Sequence, residues 1–154
     1  MNKVSILDYS PEYGEDFKNI SYGWIEEFFG IEEQDRQLLE NHKTEIIDKG
    51  GTVLFAQYEG KIVGSCALIK YNDELYELAK MGVLKEYQGL KLGRRLAEAI
   101  IDRARQLGAK KVFLESSSQL TSALALYDKL GFKADLNLDV SPYSRCNVQL
   151  ALTL

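Results

Sequence analysis

Residues 81–96, with the sequence MGVLKEYQGLKLGRRL, decide how this chain folds. An apolar strand, predicted over Leu75–Val83, runs into this segment, and an amphipathic helix runs out of it. The loop between them contains Gly89 and Gly93 together with several basic residues. Such a loop leaves backbone N–H groups free at the positive end of a helix dipole, and glycine lets an anion approach them. The segment therefore predicts a phosphorylated ligand that is held by main-chain amides.

The spacing of the loop separates it from the common nucleotide-binding motifs. Neither the P-loop pattern nor the dinucleotide pattern Gly-x-Gly-x-x-Gly occurs here. Residues 88–94 instead resemble the coenzyme A loop of the GNAT superfamily of N-acetyltransferases, Arg/Gln-x-x-Gly-x-Gly/Ala. Gln88 and Gly93 match this pattern, whereas Lys91 replaces the middle glycine. The run LYDKLGF at 126–132 resembles a second hallmark of that superfamily, so the resemblance covers nearly the whole chain in order.

Hydrophobic periodicity predicts alternating strands and helices in one domain spanning residues 1–154. The resemblance implies the GNAT fold: an α+β protein (mixed α/β sheet) with the order β-α-α-β-β-β-α-β-α-β-β and a splayed central sheet. Gly82, near the end of the central strand, is consistent either with the bulge of that fold or with close packing. The predicted helices cover 11–29, 33–48, 92–107 and 121–130, and the predicted strands cover 4–9, 52–58, 62–71, 74–83, 111–115, 132–134 and 145–154.

Composition narrows the class of protein. The formal net charge of −4 argues against a nucleic-acid partner. There is no apolar run long enough to cross a membrane and no signal-peptide pattern, so we expect no membrane partner and a cytoplasmic location. Cys66 and Cys146 lie far apart in sequence and form neither a metal-ligand spacing nor a disulfide framework, so no metal is expected.

The resemblance implies acetyl-coenzyme A as cosubstrate. Backbone amides of the loop would hold its pyrophosphate, and the main chain of the central strand would contact its acetyl and pantetheine groups. The N–H of Val83 would bind the developing oxyanion, and Ser117 occupies the place of a family asparagine. The cofactor-binding residues are thus predicted to be Met81, Val83, Gln88, Gly89, Leu90, Lys91, Leu92, Gly93, Arg94, Ser117 and Tyr127.

Two side chains are candidates for proton transfer. Tyr127, within the 126–132 run, matches the family tyrosine that points at the thioester sulfur and acts as general acid. The acceptor amine must lose a proton before it attacks, because an ordinary amine is almost fully protonated at neutral pH. Glu77 on the central strand is the first candidate for this base and Glu26 the second. A solvent-facing strand residue is an equally good interpretation of Glu77.

The predicted function is acetyl-coenzyme A dependent N-acetyl transfer to a primary amine of a small molecule or protein, by direct attack. The alternative is a GNAT-fold module that binds an acyl-coenzyme A as a sensor or partner, with little turnover. Tyr22, Glu26, Tyr143 and Asn147 are predicted to contact the acceptor. Trp24 is interpreted as a core residue. Homodimers are common among the resembled proteins, so a homodimer is a possible assembly.

Overall fold

The secondary structure follows the predicted order of elements. A computed structural model describes residues 3–154 and confirms the α+β fold with its mixed sheet. The strands are β1 (Val4–Leu7), β2 (Thr52–Tyr58), β3 (Lys61–Lys70), β4 (Leu75–Val83), β5 (Lys111–Ser116), β6 (Lys133–Ala134) and β7 (Val148–Thr153). The α-helices are α1 (Gly14–Phe28), α2 (Glu33–Glu40), α3 (Leu92–Gln106) and α4 (Thr121–Lys129).

The helix predicted over 33–48 is shorter than its hydrophobic pattern suggests. α2 ends at Glu40, and a π-helical turn follows over Lys43–Ile47. The side chain of Asn41 donates to the Gln37 carbonyl at 3.0 Å, and the Thr44 hydroxyl donates to the Asn41 carbonyl at 3.0 Å. Such side-chain bonds compete with the regular helical ladder and explain why the helix is interrupted here.

The sheet has the strand order β1-β2-β3-β4-β5-β7-β6. All neighbouring strands are antiparallel except β4 and β5, which are parallel, as the intervening crossover helix α3 requires. β4 is therefore the central strand, flanked by β3 on one side and by β5 on the other. Among residues 3–154, no helix combines the length and the apolar character that a bilayer crossing needs.

Helices cover both faces of the sheet. On one face, the α3 side chains Leu92, Leu96 and Ile100 recur at four-residue spacing and are fully buried against the sheet, together with α4. On the other face, Phe17 and Ile25 of α1 pack with α2 and with side chains of β2 and β3. Each such buried side chain contributes about 1.5–3 kcal/mol relative to exposure. β4 therefore lies between the two helical layers, and both layers flank its C-terminal half.

Candidate active site

The C-terminal half of β4 separates from β5. The two strands pair only from Leu75 opposite Lys111 to Glu77 opposite Phe113. Beyond Glu77 the backbone of β4 has no strand partner on that side, so the splayed sheet implied by the resemblance is confirmed. A cleft opens beside Lys80 and the residues after it, between the two halves of the sheet.

A β-bulge lies in the same half of β4. Lys80 has a φ of 53°, in the left-handed region, and the register with β3 shifts between Ser65 and Ala67. The bulge is thus at Lys80 and not at Gly82. Gly82 is required by packing, because a Cβ there would lie 2.5 Å from Cδ1 of Trp24. A bulge reorients the residues that follow it, which brings the end of β4 against the cleft.

The backbone of Val83 faces the cleft. Val83 lies opposite Gly64, and the N–H of the following residue, Leu84, donates to the Val63 carbonyl at 2.8 Å. This is the bonding of an antiparallel pair whose own N–H and C=O groups point away from the partner strand. The N–H of Val83 therefore points away from β3, toward the side where β5 has diverged. The Gln88 side chain donates to the Val83 carbonyl at 3.1 Å, so it supports the strand end.

The amide loop, residues 88–94, presents a row of backbone donors. Within the described chain, the N–H groups of residues 89–94 have no backbone acceptor. The next N–H along the chain, that of Arg95, donates to the Lys91 carbonyl at 3.2 Å. Gly89 has a φ of 96°. Lys91 adopts φ 60° and ψ 27°, the left-handed conformation that usually favours glycine. Lys91 thus reaches the geometry of the glycine that it replaces and adds a positive charge.

The side chains of the loop are divided between core and solvent. Leu92 is 1% exposed and packs in the core, so only its backbone can meet a ligand. Leu90 and Arg94 are exposed, and Arg94 lies 3.7 Å from Glu98 on the next turn of α3. A Cβ on Gly93 would lie 3.8 Å from Cε of Met81, an ordinary contact distance, so the start of α3 lies next to the end of β4.

Tyr127 reaches from α4 toward the bulge. It is 6% exposed, and its ring packs edge-on against Phe132. Its hydroxyl lies close enough to the Cys66 thiol for the two groups to interact electrostatically, and the Cys66 thiol lies 3.7 Å from the Ala79 carbonyl beside the bulge. Burial, with a smaller contribution from Cys66, raises the pKa of Tyr127 above its usual value. The hydroxyl is therefore protonated at neutral pH.

A cavity of about 580 Å³ lies on the opposite face of β4, under α1, α2 and the cap loop (residues 135–147). It extends from Trp24 to the ends of β3 and β5 and contains Glu77, Lys80 and Tyr143. Glu77 is half-buried, and burial, together with the nearby charge of Glu115, raises its pKa to about 8. Trp24 is thus a wall of this cavity as well as a packing residue, and its Nε1–H has no partner within the described residues.

A buried ion cluster closes one wall of the cavity. Asp35 of α2 is fully buried and accepts hydrogen bonds from Lys80 at 2.7 Å and from both terminal nitrogens of Arg145 at 2.6 and 2.8 Å. Burial alone would raise the pKa of Asp35, but Arg145 and Lys80 outweigh it and lower the pKa to about 2. The Tyr143 ring lies 4.4 Å from Lys80 and 4.5 Å from Arg145, and Arg145 also bonds Glu32 at 3.2 Å.

Sequence reasoning missed this cluster. Its members come from α2, from the bulge of β4 and from the cap loop, and no local pattern connects them. The one signal was a lysine at position 80 within an otherwise largely apolar strand, because such a lysine needs a buried counter-ion.

The structure separates the remaining predicted residues into different environments. Tyr22 donates to Glu40 at 2.6 Å, and burial with this bond raises its pKa to about 12. Tyr22 and the exposed Glu26 do not line the cavity, because both lie on other faces of α1. Asn147 accepts from the Ser118 N–H at 2.8 Å and fastens the loop before α4.

Ser117 is 3% exposed and lines the cavity. Its hydroxyl accepts from the Gln119 N–H at 3.2 Å, so it also helps to start α4. Within the described residues, no group of three His, Cys, Asp or Glu side chains is arranged to hold a metal ion.

Comparison with known proteins identifies the family. The model of the acetyltransferase (GNAT) family matches residues 16–132. A probable N-acetyltransferase camello of Xenopus tropicalis is 31% identical over 73% of this chain and 53% of its own length. An uncharacterized N-acetyltransferase, YjgM, of Escherichia coli is 34% identical over 61% of this chain and 59% of its own length. The chain thus spans little more than half the length of these curated relatives.

Solved structures agree with the sequence comparison at the level of the fold. An acetyltransferase of the GNAT family from Staphylococcus aureus superposes with a TM-score of 0.87 at 24% identity, covering 97% of this chain and 98% of the other. The Salmonella typhimurium yncA structure, described as a putative acetyltransferase with its cofactor acetyl-CoA, superposes with a TM-score of 0.79 at 19% identity, covering 99% and 94%. Together with the match of the family model over most of the chain, these comparisons show that the chain belongs to the GNAT family of acetyltransferases.

Proposed function

We propose that this chain is an acetyl-coenzyme A dependent N-acetyltransferase that transfers the acetyl group to a primary amine by direct attack. The observation that carries the proposal is the bulged end of β4, which separates from β5 beside a row of unpaired amides. The Salmonella protein of the same fold was solved with acetyl-CoA, which supports the identity of the donor. When bound, that donor supplies an activated thioester.

The donor side of the site consists mainly of backbone. The amides of residues 89–94 and the positive end of α3 suit a pyrophosphate, and the Lys91 side chain adds charge to them. Gly93 has no side chain that could screen the backbone amides at the start of α3. The N–H of Val83 is the donor for the thioester carbonyl, where negative charge develops as the amine attacks. Met81 lies between these two parts and contacts the arm that joins them.

The proton transfers fall to Glu77 and Tyr127. An ammonium group gives its proton to the Glu77 carboxylate, directly or through water, and the neutral amine then attacks the thioester carbonyl and forms the new N–C bond. The nitrogen gives up a second proton to water as the tetrahedral intermediate collapses to the amide. As the C–S bond breaks, the Tyr127 hydroxyl donates a hydrogen bond or its proton to the thiolate sulfur. The pKa of Glu77, about 8, lies closer to the pKa of the amine than that of an ordinary carboxylate does. Transfer of a proton from the ammonium group to Glu77 therefore costs less free energy.

Release of free thiol from acetyl-coenzyme A in the presence of a mixture of amines tests this proposal. We expect release that depends on both substrates, and a rise in melting temperature with acetyl-coenzyme A alone, because a ligand that binds only the folded state stabilises it. Tyr127→Phe should lower turnover about 10-fold or more and keep the rise in melting temperature. A rise in melting temperature without thiol release from any amine would favour the acyl-coenzyme A binding module instead.

A further inference from the structure

Within residues 3–154, the cationic side chains that line the cavity all form ion pairs, whereas several of its acidic side chains do not. Each of its four cationic side chains has an acidic partner: Lys49 lies 3.1 Å from Glu45, Lys70 3.0 Å from Asp73, Lys80 2.7 Å from Asp35, and Arg145 2.6 Å from Asp35. None of these cations is left over for a substrate. A carboxylate on the acceptor would find no unpaired positive charge in this part of the described chain.

Three acidic side chains of the same cavity form no ion pair within the described residues: Glu77, Glu115 and Asp139. The charge of Lys80 acts on Glu77, but burial and the charge of Glu115 outweigh it. Glu115 and Glu77 lie on the same face of adjacent strands, two register positions apart. The Glu115 carboxylate accepts from Ser141 at 2.9 Å and from Gln149 at 3.0 Å, both of which are neutral donors. Asp139, at the exposed edge, accepts from the Tyr71 hydroxyl.

These three acids surround one end of the cavity. Tyr71 interacts with all three acids: the hydrogen bond to Asp139 is the largest cause of its raised pKa, and the charges of Glu115 and Glu77 make smaller contributions. The Tyr71 ring packs edge-on against Phe113 of β5, which places an aromatic wall beside the carboxylates. Carboxylates next to aromatic rings favour a cation, through charge and through the ring faces. The cavity therefore offers more than the single carboxylate that one amine needs.

We propose that the acceptor is a primary amine that carries a second cationic group, as a diamine does. Glu77 faces the reacting amine near the bulge, and Glu115, with Asp139 at the edge, holds the second ammonium group under the cap loop. The volume of about 580 Å³ lies in the range of small-molecule sites and suits a chain of a few methylenes between two such groups. Glu115 is thus a specificity-determining residue. This inference rests on the proposed acetyl transfer.

A set of three acceptors of equal length tests the inference. Cadaverine, n-hexylamine and ε-aminocaproate share one amine and one linker and end in an ammonium, a methyl and a carboxylate group. We expect kcat/KM for cadaverine to exceed that for n-hexylamine about 10-fold, or about 1.4 kcal/mol, and ε-aminocaproate to be the poorest. The apolar side chains of the cavity favour n-hexylamine, so a preference for the diamine reports on charge.

The variant Glu115→Gln keeps the size of the side chain and removes its charge. It should bring the ratio of the two kcat/KM values close to one, mainly through KM for cadaverine. Loss of the Glu115 charge also lowers the pKa of Glu77 for both acceptors, so the ratio, and not either absolute value, is the readout. Glu59→Gln is the matched control, because Glu59 pairs with Lys3 at the surface and lies outside the cavity. The melting temperatures of both variants establish that they are folded.

The outcomes separate the two proposals. Thiol release that is as fast with n-hexylamine as with cadaverine, or an unchanged ratio in Glu115→Gln, would overturn the inference and leave the acetyl transfer standing. Acetyl-coenzyme A binding without release from any of the three acceptors would overturn the inference and favour the binding module. No release and no rise in melting temperature with acetyl-coenzyme A would overturn both.

Discussion

Replacement of Asp35 by asparagine is the most direct test of the buried ion cluster. Asp35 is fully buried, and the side chains of its two partners, Lys80 and Arg145, are 5% and 12% exposed. The variant leaves both cations desolvated without their shared counter-ion. Breaking a buried pair in this way costs about 3–5 kcal/mol, far more than the loss of a surface pair. We therefore expect the free energy of unfolding of Asp35→Asn at pH 7 to fall by about 3–5 kcal/mol.

The pKa of Asp35 provides a second route to the magnitude. Lowering it from 3.8 to about 2 corresponds to about 2 kcal/mol of stability. Because the folded-state pKa lies below the unfolded one, this stability is present above pH 3.8 and is lost as the pH falls through about 2. Asparagine removes the carboxylate that Lys80 and Arg145 share, and it leaves Arg145 only its contact with Glu32 at 3.2 Å.

Urea unfolding at pH 7 measures the effect, with Glu59→Gln as control. Glu59 and Lys3 form an ion pair of similar length, 3.0 Å, but both side chains are more than half exposed, so this variant should lose at most about 1 kcal/mol. Lys80→Met should lose less than Asp35→Asn, because Arg145 continues to bond both oxygens of Asp35. A loss in Asp35→Asn no larger than that in Glu59→Gln would refute the reasoning.

Three further predictions follow from single residues. Glu77→Gln should abolish the part of the pH–rate profile that rises toward pH 8. It should also remove a loss of stability as the pH rises through about 8, because the raised pKa of Glu77 stabilises the folded state only while the carboxyl is protonated. Identical pH–rate profiles for the variant and the wild type would exclude Glu77 as the base. Gly82→Ala should lower the free energy of unfolding by about 1–3 kcal/mol, because its Cβ would overlap Trp24; a urea midpoint equal to wild type would contradict this packing. Lys91→Gly should change stability by less than about 1 kcal/mol, because relief of the left-handed strain offsets the greater freedom of glycine, and should weaken coenzyme A binding measured by calorimetry; unchanged affinity would remove Lys91 from the phosphate site.

Local sequence patterns determine most of the secondary structure and the acetyl-donor side of the site. Hydrophobic periodicity predicts α3 and the meander of β2, β3 and β4, because a helix or strand must turn its apolar positions toward the core. Residues 88–94 lie next to one another in the chain, so their free amides follow from a strand, a loop and a helix in succession. The Lys91 substitution was visible in the sequence, and its left-handed conformation is what that position of the loop requires.

The acceptor side came from contacts between distant segments, which no local pattern contains. Asp35 meets Lys80 and Arg145 across 45 and 110 residues of chain, and Glu77 acquires its raised pKa because folding buries it near Glu115. The bulge at Lys80 depends likewise on how β4 fits against β3 and α2. Hydrophobic periodicity and loop chemistry involve residues that are neighbours in sequence, so the sequence alone predicts them. Burial and ion pairing depend on which elements pack together, and these tertiary contacts exist only once the chain has folded.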